Sequence, residues 1–448
     1  MAKHWMRLSV VPAACLMLLG PIQSASAIGV LEAYIAALKN DPSHRAAKAE
    51  LIAGLEYEAI GRSSLLPSAQ YVYSTSKNKG ESISPFLGTF TKSNQDYSST
   101  SKSVSVRQTI FNLEAYARFE QGVAQKNYSI AQFDSRSSDL MVRLLTAYVE
   151  TRYAEDQLNL YTAQRDSYAE QRKVNDRLYA KGEGTKTEML ETQAKLDVAE
   201  AMRLEAIDTL QTARNNLEAI VGVDVKQLDG LPVDFKPMLD SEDFDTWKRY
   251  AEEKNPEIIA AKYGIDIAQK EISKSQAGHA PRIELNANYN HGVSETFATK
   301  NQDLNMRTVG VQLIIPIYSG GYVNATSKQA VARLDKARAD LDGTVSKVMV
   351  ELRKQFSAVK SSVVKIEGLQ KSVNSATALV EATQQSIKGG VRINADLLNA
   401  QQQLVAAKRD LASARYNYLL SYLKLRVAAG TVNIDDLRTV AGYFSEKN

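Results

Sequence analysis

The 448-residue chain has a single cysteine, Cys15, which lies close to the N-terminus. No disulfide framework can form, and metal sites built on cysteine are ruled out. His44, His279 and His291 are scattered along the chain without metal-ligand spacing. The glycine pairs Gly320-Gly321 and Gly389-Gly390 stand in turn contexts, not in a loop that cradles phosphate. No enzyme, cofactor or metal centre is expected. A basic arm is also missing. The formal net charge is +4, and losing Lys3 and Arg7 with a leader lowers it by two, so nucleic acid binding has no support.

Long apolar runs are nearly absent as well. Leu8 to Ile22 is the exception, following Lys3 and Arg7 and preceding Ala25-Ser26-Ala27. This order is that of a secretory signal peptide, Met1 to Ala27, cleaved before Ile28. A membrane anchor is disfavoured because the run is short and contains Pro12 and Pro21. Acylation at Cys15 is disfavoured too, since Pro12-Ala13-Ala14-Cys15 is a poor lipobox. Beyond the leader no apolar run is long enough to span a bilayer as a helix.

Proline is missing where a very long helix would need it to be. From Tyr322 to Lys388 there is none, and apolar residues recur at helical spacing. Val345, Leu352, Val359, Ile366, Val373, Val380 and Ile387 keep a strict seven-residue period, the signature of left-handed supercoiling. After Gly389-Gly390 the period resumes at Leu397, Leu404, Leu411, Tyr418 and Leu425. A stripe of small residues (Ala400, Ala407, Ala414, Ser421, Ala428) runs beside it, and both stripes read as packing. Before this helix, Val309, Val311, Leu313, Ile315 and Ile317 alternate with other residues at strand period, and Pro316 marks the end of that strand.

The same layout occurs twice. Asn40-Asp41-Pro42 through Leu66-Pro67 matches Lys254-Asn255-Pro256 through Ala280-Pro281 at an offset of 214 residues. Leu190, Gln193, Leu217 and Gly222 match Leu398, Gln401, Leu425 and Gly430 at 208. A period this long marks duplication of a whole supersecondary unit. Repeat 1 is expected over 28–222, with strands near 68–77 and 101–112 and long helices near 113–180 and 186–221. Repeat 2 is expected over 246–430, with strands near 282–291 and 304–318 and long helices near 322–388 and 393–429. A linker, 223–245, joins them, and a tail, 431–448, follows. Residues 77–101 and 292–303 read as exposed loops because they are rich in Ser, Thr, Asn and Gly. Tyr71, Tyr73, Ile283, Leu285 and Tyr289 fall on apolar strand faces and are the candidates to meet lipid; Glu284, Asn286 and Asn288 face the other way.

Four motifs in this order carry a family resemblance. They are Leu65-Leu66-Pro67, the run from Tyr179 to Thr185, the run from Pro316 to Gly321, and Ala414-Arg415-Tyr416-Asn417-Tyr418-Leu419. With them the chain resembles the TolC-like outer-membrane channel-tunnel proteins over essentially its whole mature length. The resemblance implies a mostly α-helical chain with a β-barrel contribution. Three chains would form a twelve-stranded outer-membrane barrel continued by a periplasmic helical tunnel. The turn Gly182-Glu183-Gly184-Thr185 and the Ala414–Leu419 region look most like the type I secretion branch. That branch implies a membrane-fusion adaptor, an inner-membrane ABC transporter and unfolded protein cargo such as a protease or lipase. The alternative is an outlet for multidrug efflux, fed by a proton-driven transporter.

The resemblance also assigns site residues. Arg392 and Asp396 match an arginine and an aspartate at the tunnel constriction, while Asn399 stands where the family has a second aspartate. Glu188 occupies the Asp396 position of repeat 1, and Gly184 the Arg392 position. The tips Lys181, Gly182, Glu183, Gly184 and Thr185, and Lys388, Gly389 and Gly390, are where an adaptor would dock. The plainer readings are an exposed i,i+4 ion pair and glycines that a helical hairpin needs in order to reverse.

Overall fold

The computed structural model describes residues 28–86, 88–232, 234–238, 242–294 and 302–444. The expected leader, Met1 to Ala27, lies outside the described residues, as do 295–301 and 445–448. Helices α1 (Val30–Asn40), α2 (Pro42–Leu55) and α3 (Tyr57–Ser63) precede strands β1 (Ser68–Phe86) and β2 (Thr89–Phe111). That hairpin runs into α4 (Leu113–Ala180), which turns back as α5 (Lys186–Val221). The second unit is α6 (Phe244–Lys254), α7 (Pro256–Gln276), β3 (Arg282–Ser294), β4 (Gln302–Ile314), α8 (Tyr322–Lys388) and α9 (Asn394–Ala428), and α10 (Ile434–Ala441) follows. Helices α4 and α8 have 68 and 67 residues, on the order of 100 Å each at ~1.5 Å per residue. No described helix is apolar enough to cross a membrane.

The strands form one antiparallel sheet in the order β1-β2-β3-β4, with both edges open. Its register aligns Tyr71 with Val104 and Val104 with Tyr289, and Leu285 with Val311, so one face is a predominantly apolar belt, interrupted by Gln108 beside Leu285. Tyr73 and Ile283 lie on that same face. The other face carries Gln70, Ser105, Asn288 and Thr308 in one row.

The strands differ in extent from the expected ones. The ladder of the first hairpin runs from Ser68↔Arg107 to Phe86↔Thr89, so most of 77–101 is strand. A polar composition suits a loop, but it suits equally a ribbon wetted on both faces. Cross-strand ion pairs, Lys79–Asp96 at 3.3 Å and Lys92–Glu81 at 2.7 Å, help fix its register. β3 continues to Ser294. β4 spans Gln302–Ile314 instead of 304–318. It is an edge strand, so Ile315 to Tyr318 find no further partner in this chain, and Pro316 has no N–H to donate. The last long helix is one residue shorter at each end, because Ile393 and Ala429 serve as its caps.

The main core lies at mid-height of the long helices. Leu140, Leu144 and Tyr148 of α4, Leu352, Val359 and Ile366 of α8, and Tyr418, Leu419 and Leu425 of α9 belong to one buried cluster. Trp247 of α6 and Leu437 of α10 close this core from outside. The seven-residue series is thus most deeply buried at this mid-height collar, where α6 packs on α8 and α10 on α9. The Tyr148 hydroxyl donates to the Ile28 carbonyl at 3.0 Å and accepts from the Asp229 N–H at 3.0 Å, tying the start of the described chain to the linker after α5. Arg152, buried on α4, pairs with Glu155 and Asp156, and Asp156 also accepts the Tyr416 hydroxyl at 2.6 Å. Burial, with the Asp156 charge beside it, pushes the Tyr416 hydroxyl well above the usual tyrosine range, so it stays a donor.

Gly222 and Gly430, equivalent in the two repeats, end α5 and α9 with φ of 76° and 68°. A Cβ at Gly222 would lie 2.4 Å from Asn40, and one at Gly430 2.3 Å from Lys254, so no larger residue fits against the ends of α1 and α6.

Candidate functional site at the hairpin tips

Both long-helix pairs reverse at the end farthest from the sheet. In the first, Gly182 takes φ 75°, and the N–H groups of Gly182 and Glu183 return to the Tyr179 and Leu178 carbonyls. Thr185 then caps α5. Its hydroxyl accepts from the Glu188 N–H at 3.2 Å, while the Glu188 carboxylate accepts from the Thr185 N–H at 3.0 Å. This is a complete capping box. Glu188 is therefore turned back onto its own helix start.

In the second reversal Gly390 has φ 73°, and Val391 returns to the Ser386 carbonyl at 2.9 Å. The cap residue of α9 is Ile393, which has no side-chain acceptor. Asp396 is at the third helical position, as Glu188 is in α5, but finds no cap to bond. Arg392 reaches it instead, Nη1 to Oδ2 at 3.3 Å. Arg392 is 60% and Asp396 35% exposed, so the bond is worth a few tenths of a kcal/mol. Asn399, roughly one turn on, lines a groove of about 540 Å³ between α5 and α9, whose walls include Tyr168, Lys195, Met202 and Arg409.

A buried amide network beside the tips had no signal in the sequence. Asn394, 7% exposed at the start of α9, accepts from Gln171 Nε2 of α4 at 2.7 Å and donates to the Thr192 hydroxyl of α5 at 3.1 Å. Asn175 of α4 donates to the same hydroxyl at 2.7 Å. Thr192 is wholly buried. Farther along, Gln401 donates to Ser167 at 3.1 Å and Lys195 to Gln402 at 2.8 Å. The second hairpin is thus joined to the first by a buried Asn394–Thr192 bond, by half-buried amide bonds from Gln171 and Gln401 and by the exposed Lys195–Gln402 bond, as well as by the packing of Leu398 on Tyr168 and Ala199. Gln171 and Asn175 lie on α4, Thr192 on α5 and Asn394 on α9, and periodicity within one helix does not report a partner on another.

These tips can hold two helical hairpins together or release them. The amides supply directional bonds that are lost once the helices part, and the exposed Arg392–Asp396 pair supplies a weaker, salt-sensitive contact.

The family model for outer membrane efflux protein matches residues 33–223 and 247–431, one match to each repeat. The chain is 38% identical to the alkaline protease secretion protein AprF of Pseudomonas aeruginosa over 430 residues, covering 94% of this chain and 88% of that one. It is also 38% identical to the proteases secretion protein PrtF of Dickeya chrysanthemi, covering 94% and 92%. Among solved structures, the Campylobacter jejuni CmeC outer membrane channel superposes with a TM-score of 0.79 at 15% identity, over 98% of each chain.

Proposed function

The chain belongs to the outer membrane efflux protein family, and from that premise we propose that three copies form the outer-membrane duct of a type I protein secretion system. The protein resides in the outer membrane with a large periplasmic portion. In the proposed assembly the sheets of three chains close a twelve-stranded barrel, and the long helices continue it as a tunnel. Open sheet edges are not tolerated in lipid, and each chain offers two. Further chains must therefore complete the wall. Tyr71, Tyr73, Ile283, Leu285 and Tyr289 form part of its lipid face, and Glu284, Asn286 and Asn288 line the water side.

The observation that carries the secretion reading is the 38% identity, over nearly the whole chain, to two proteins named for protease secretion. An unfolded protein such as a protease passes from an inner-membrane ABC transporter and a periplasmic adaptor into the tunnel. The adaptor docks at the tips, Lys181 to Thr185 and Lys388 to Gly390. The constriction lies at Arg392 and Asp396, with Asn399 one turn further on and Glu188 at the matching place in repeat 1.

Deleting the gene tests the reading. Loss of one or a few secreted proteins, with drug tolerance little changed, is the expected outcome. Broad drug hypersensitivity with an intact secretome would transfer the protein to drug efflux. Outer-membrane fractions should contain heat-modifiable trimer bands.

A further inference from the structure

The belt face of the sheet ends abruptly in cations. Proceeding away from the helices, its rows are Phe111/Ile283/Leu313, then Gln108/Leu285/Val311, then Ala69/Val106/Ala287/Val309. The next row, Tyr71/Val104/Tyr289/Arg307, brings the first charge. Above it, Tyr73/Lys102/His291/Asn305 brings a second and a titratable ring. From Ile283 to His291 is about 27 Å along a strand, comparable before tilt with the ~25 Å apolar band of an outer-membrane barrel. Lys102 and Arg307 thus stand at the rim of the belt that lies farthest from the helices.

These two cations are not committed elsewhere. Among the described residues no carboxylate pairs with either; Arg307 rests over the Tyr289 ring at 5.9 Å. The other sheet arginines, Arg107 and Arg282, lie on the opposite face near the helices, and both meet Glu284, at 3.6 and 3.7 Å. Higher on the ribbon, Lys79 and Lys92 are matched by Asp96 and Glu81. His291 is held by Asp303 at 3.1 Å. Cations left open therefore occur on the belt face at its distal rim, whereas the rows near the helices carry none. A guanidinium and an ammonium one row apart, beside tyrosines at the apolar boundary, suit phosphate on an amphiphile.

We propose that Lys102 and Arg307, flanked by Tyr73 and Tyr289, dock the phosphates of the outer-leaflet glycolipid. The proposal rests on the reading above that this sheet face meets lipid. Its role would be to fix the height of the barrel and hold a lipid ring around it.

The test uses the full-length protein in vesicles of bis-phosphorylated lipopolysaccharide, of the same lipid after dephosphorylation, and of phosphatidylglycerol. Wild type is expected to bind the phosphorylated glycolipid at least tenfold better than either other vesicle. Lys102→Gln with Arg307→Gln should abolish the preference. The charge-conserving pair Lys102→Arg with Arg307→Lys should keep it, as should Lys92→Gln. Equal binding of wild type to phosphorylated and dephosphorylated glycolipid would overturn the site while leaving the barrel reading intact, as would equal binding to phosphatidylglycerol. Retention of the preference by a heat-modifiable Gln double variant would overturn it too. Failure of wild type to insert into any vesicle would remove the barrel reading and the site with it.

Discussion

Helices α5 and α9 start with the same turn and put a carboxylate at the same third position, yet the two carboxylates are used differently. Glu188 closes a capping box with Thr185, while Asp396, facing Ile393, is left for Arg392. One cap side chain makes the difference. A hydroxyl at the cap draws the carboxylate onto the backbone, and a branched hydrocarbon there leaves it available to a cation. A similar divergence occurs near the collar. Asp41 and Asn255 both cap the helix that follows a proline turn. Asp41 takes the Arg143 guanidinium with both oxygens, each at 3.1 Å, whereas Asn255 donates to the Ala428 carbonyl at 2.9 Å. Duplication conserved the positions, and single side chains then separated an ionic solution from a neutral one.

The repeats also differ at the sheet end. The first hairpin pairs out to Phe86↔Thr89, but β3 meets β2 only as far as Ser294↔Ser99. Among the described residues, those beyond Ser99 toward the turn therefore form a two-stranded ribbon, which needs polar faces on both sides to stay in water.

The strongest way to sharpen this comparison is to put charge on each face of one strand. Leu285→Arg, on the belt, should cost on the order of 2–4 kcal/mol of barrel stability near mid-membrane. Asn286→Arg should cost far less. Assembly assays that tolerate both equally would break the assignment of faces.

At the collar, Asp41→Asn should cost on the order of 1–2 kcal/mol, because it removes a charge-assisted pair whose arginine is partly exposed. Burial raises the Asp41 pKa, but hydrogen bonds from Arg143 and the His44 N–H outweigh it and hold the carboxyl below the usual range. A depressed folded pKa contributes stability above the unfolded value, near 4. That contribution fades as pH falls through the lower folded value. Wild type and Asp41→Asn should therefore converge in acid denaturation, whereas Asn255→Ala should be destabilised by a similar amount at pH 4 and pH 7.

At the tips, Asn394→Leu should cost on the order of 1 kcal/mol by leaving the half-buried Gln171 amide without its acceptor and removing one of the two amides that donate to the buried Thr192 hydroxyl. A raised ratio of mutant to wild-type single-channel conductance in planar bilayers, the same at low and high salt, would be the functional sign. Ile393→Thr should do the reverse of the natural divergence. It builds a second capping box, stabilises α9 by about 1 kcal/mol, and pulls Asp396 off Arg392. A melting temperature unchanged by Ile393→Thr would show that the cap residue is not what separates the two tips.

The smallest thermodynamic effect belongs to Arg392→Ser, a few tenths of a kcal/mol. Conductance should nonetheless rise if three such pairs narrow one axis, and Asp396→Ala should lower cation selectivity. With Asn399 in place of a second acid, block by multivalent cations should be weak. Unchanged conductance in Arg392→Ser would leave the pair as a solvated contact and give the amide network the whole of the closure.

By itself the sequence determined the long helices, because freedom from proline and a strict seven-residue period from Val345 to Ile387 permit nothing else at that length. The faces of the strands and the doubling of the unit were equally open to reading, since side-chain alternation and a long offset are local records. The ribbon at 77–101 was not legible, because hydroxyl-rich composition is shared by loops and by strands wetted on both sides. The tertiary structure alone decided which helices touch. It brought Gln171, Thr192 and Asn394 together across more than 200 residues, and it turned Glu188 back onto the Thr185 cap while leaving Asp396 to Arg392. A hydrogen bond between distant segments depends on how helices from two repeats cross, and no periodicity along one chain encodes that crossing.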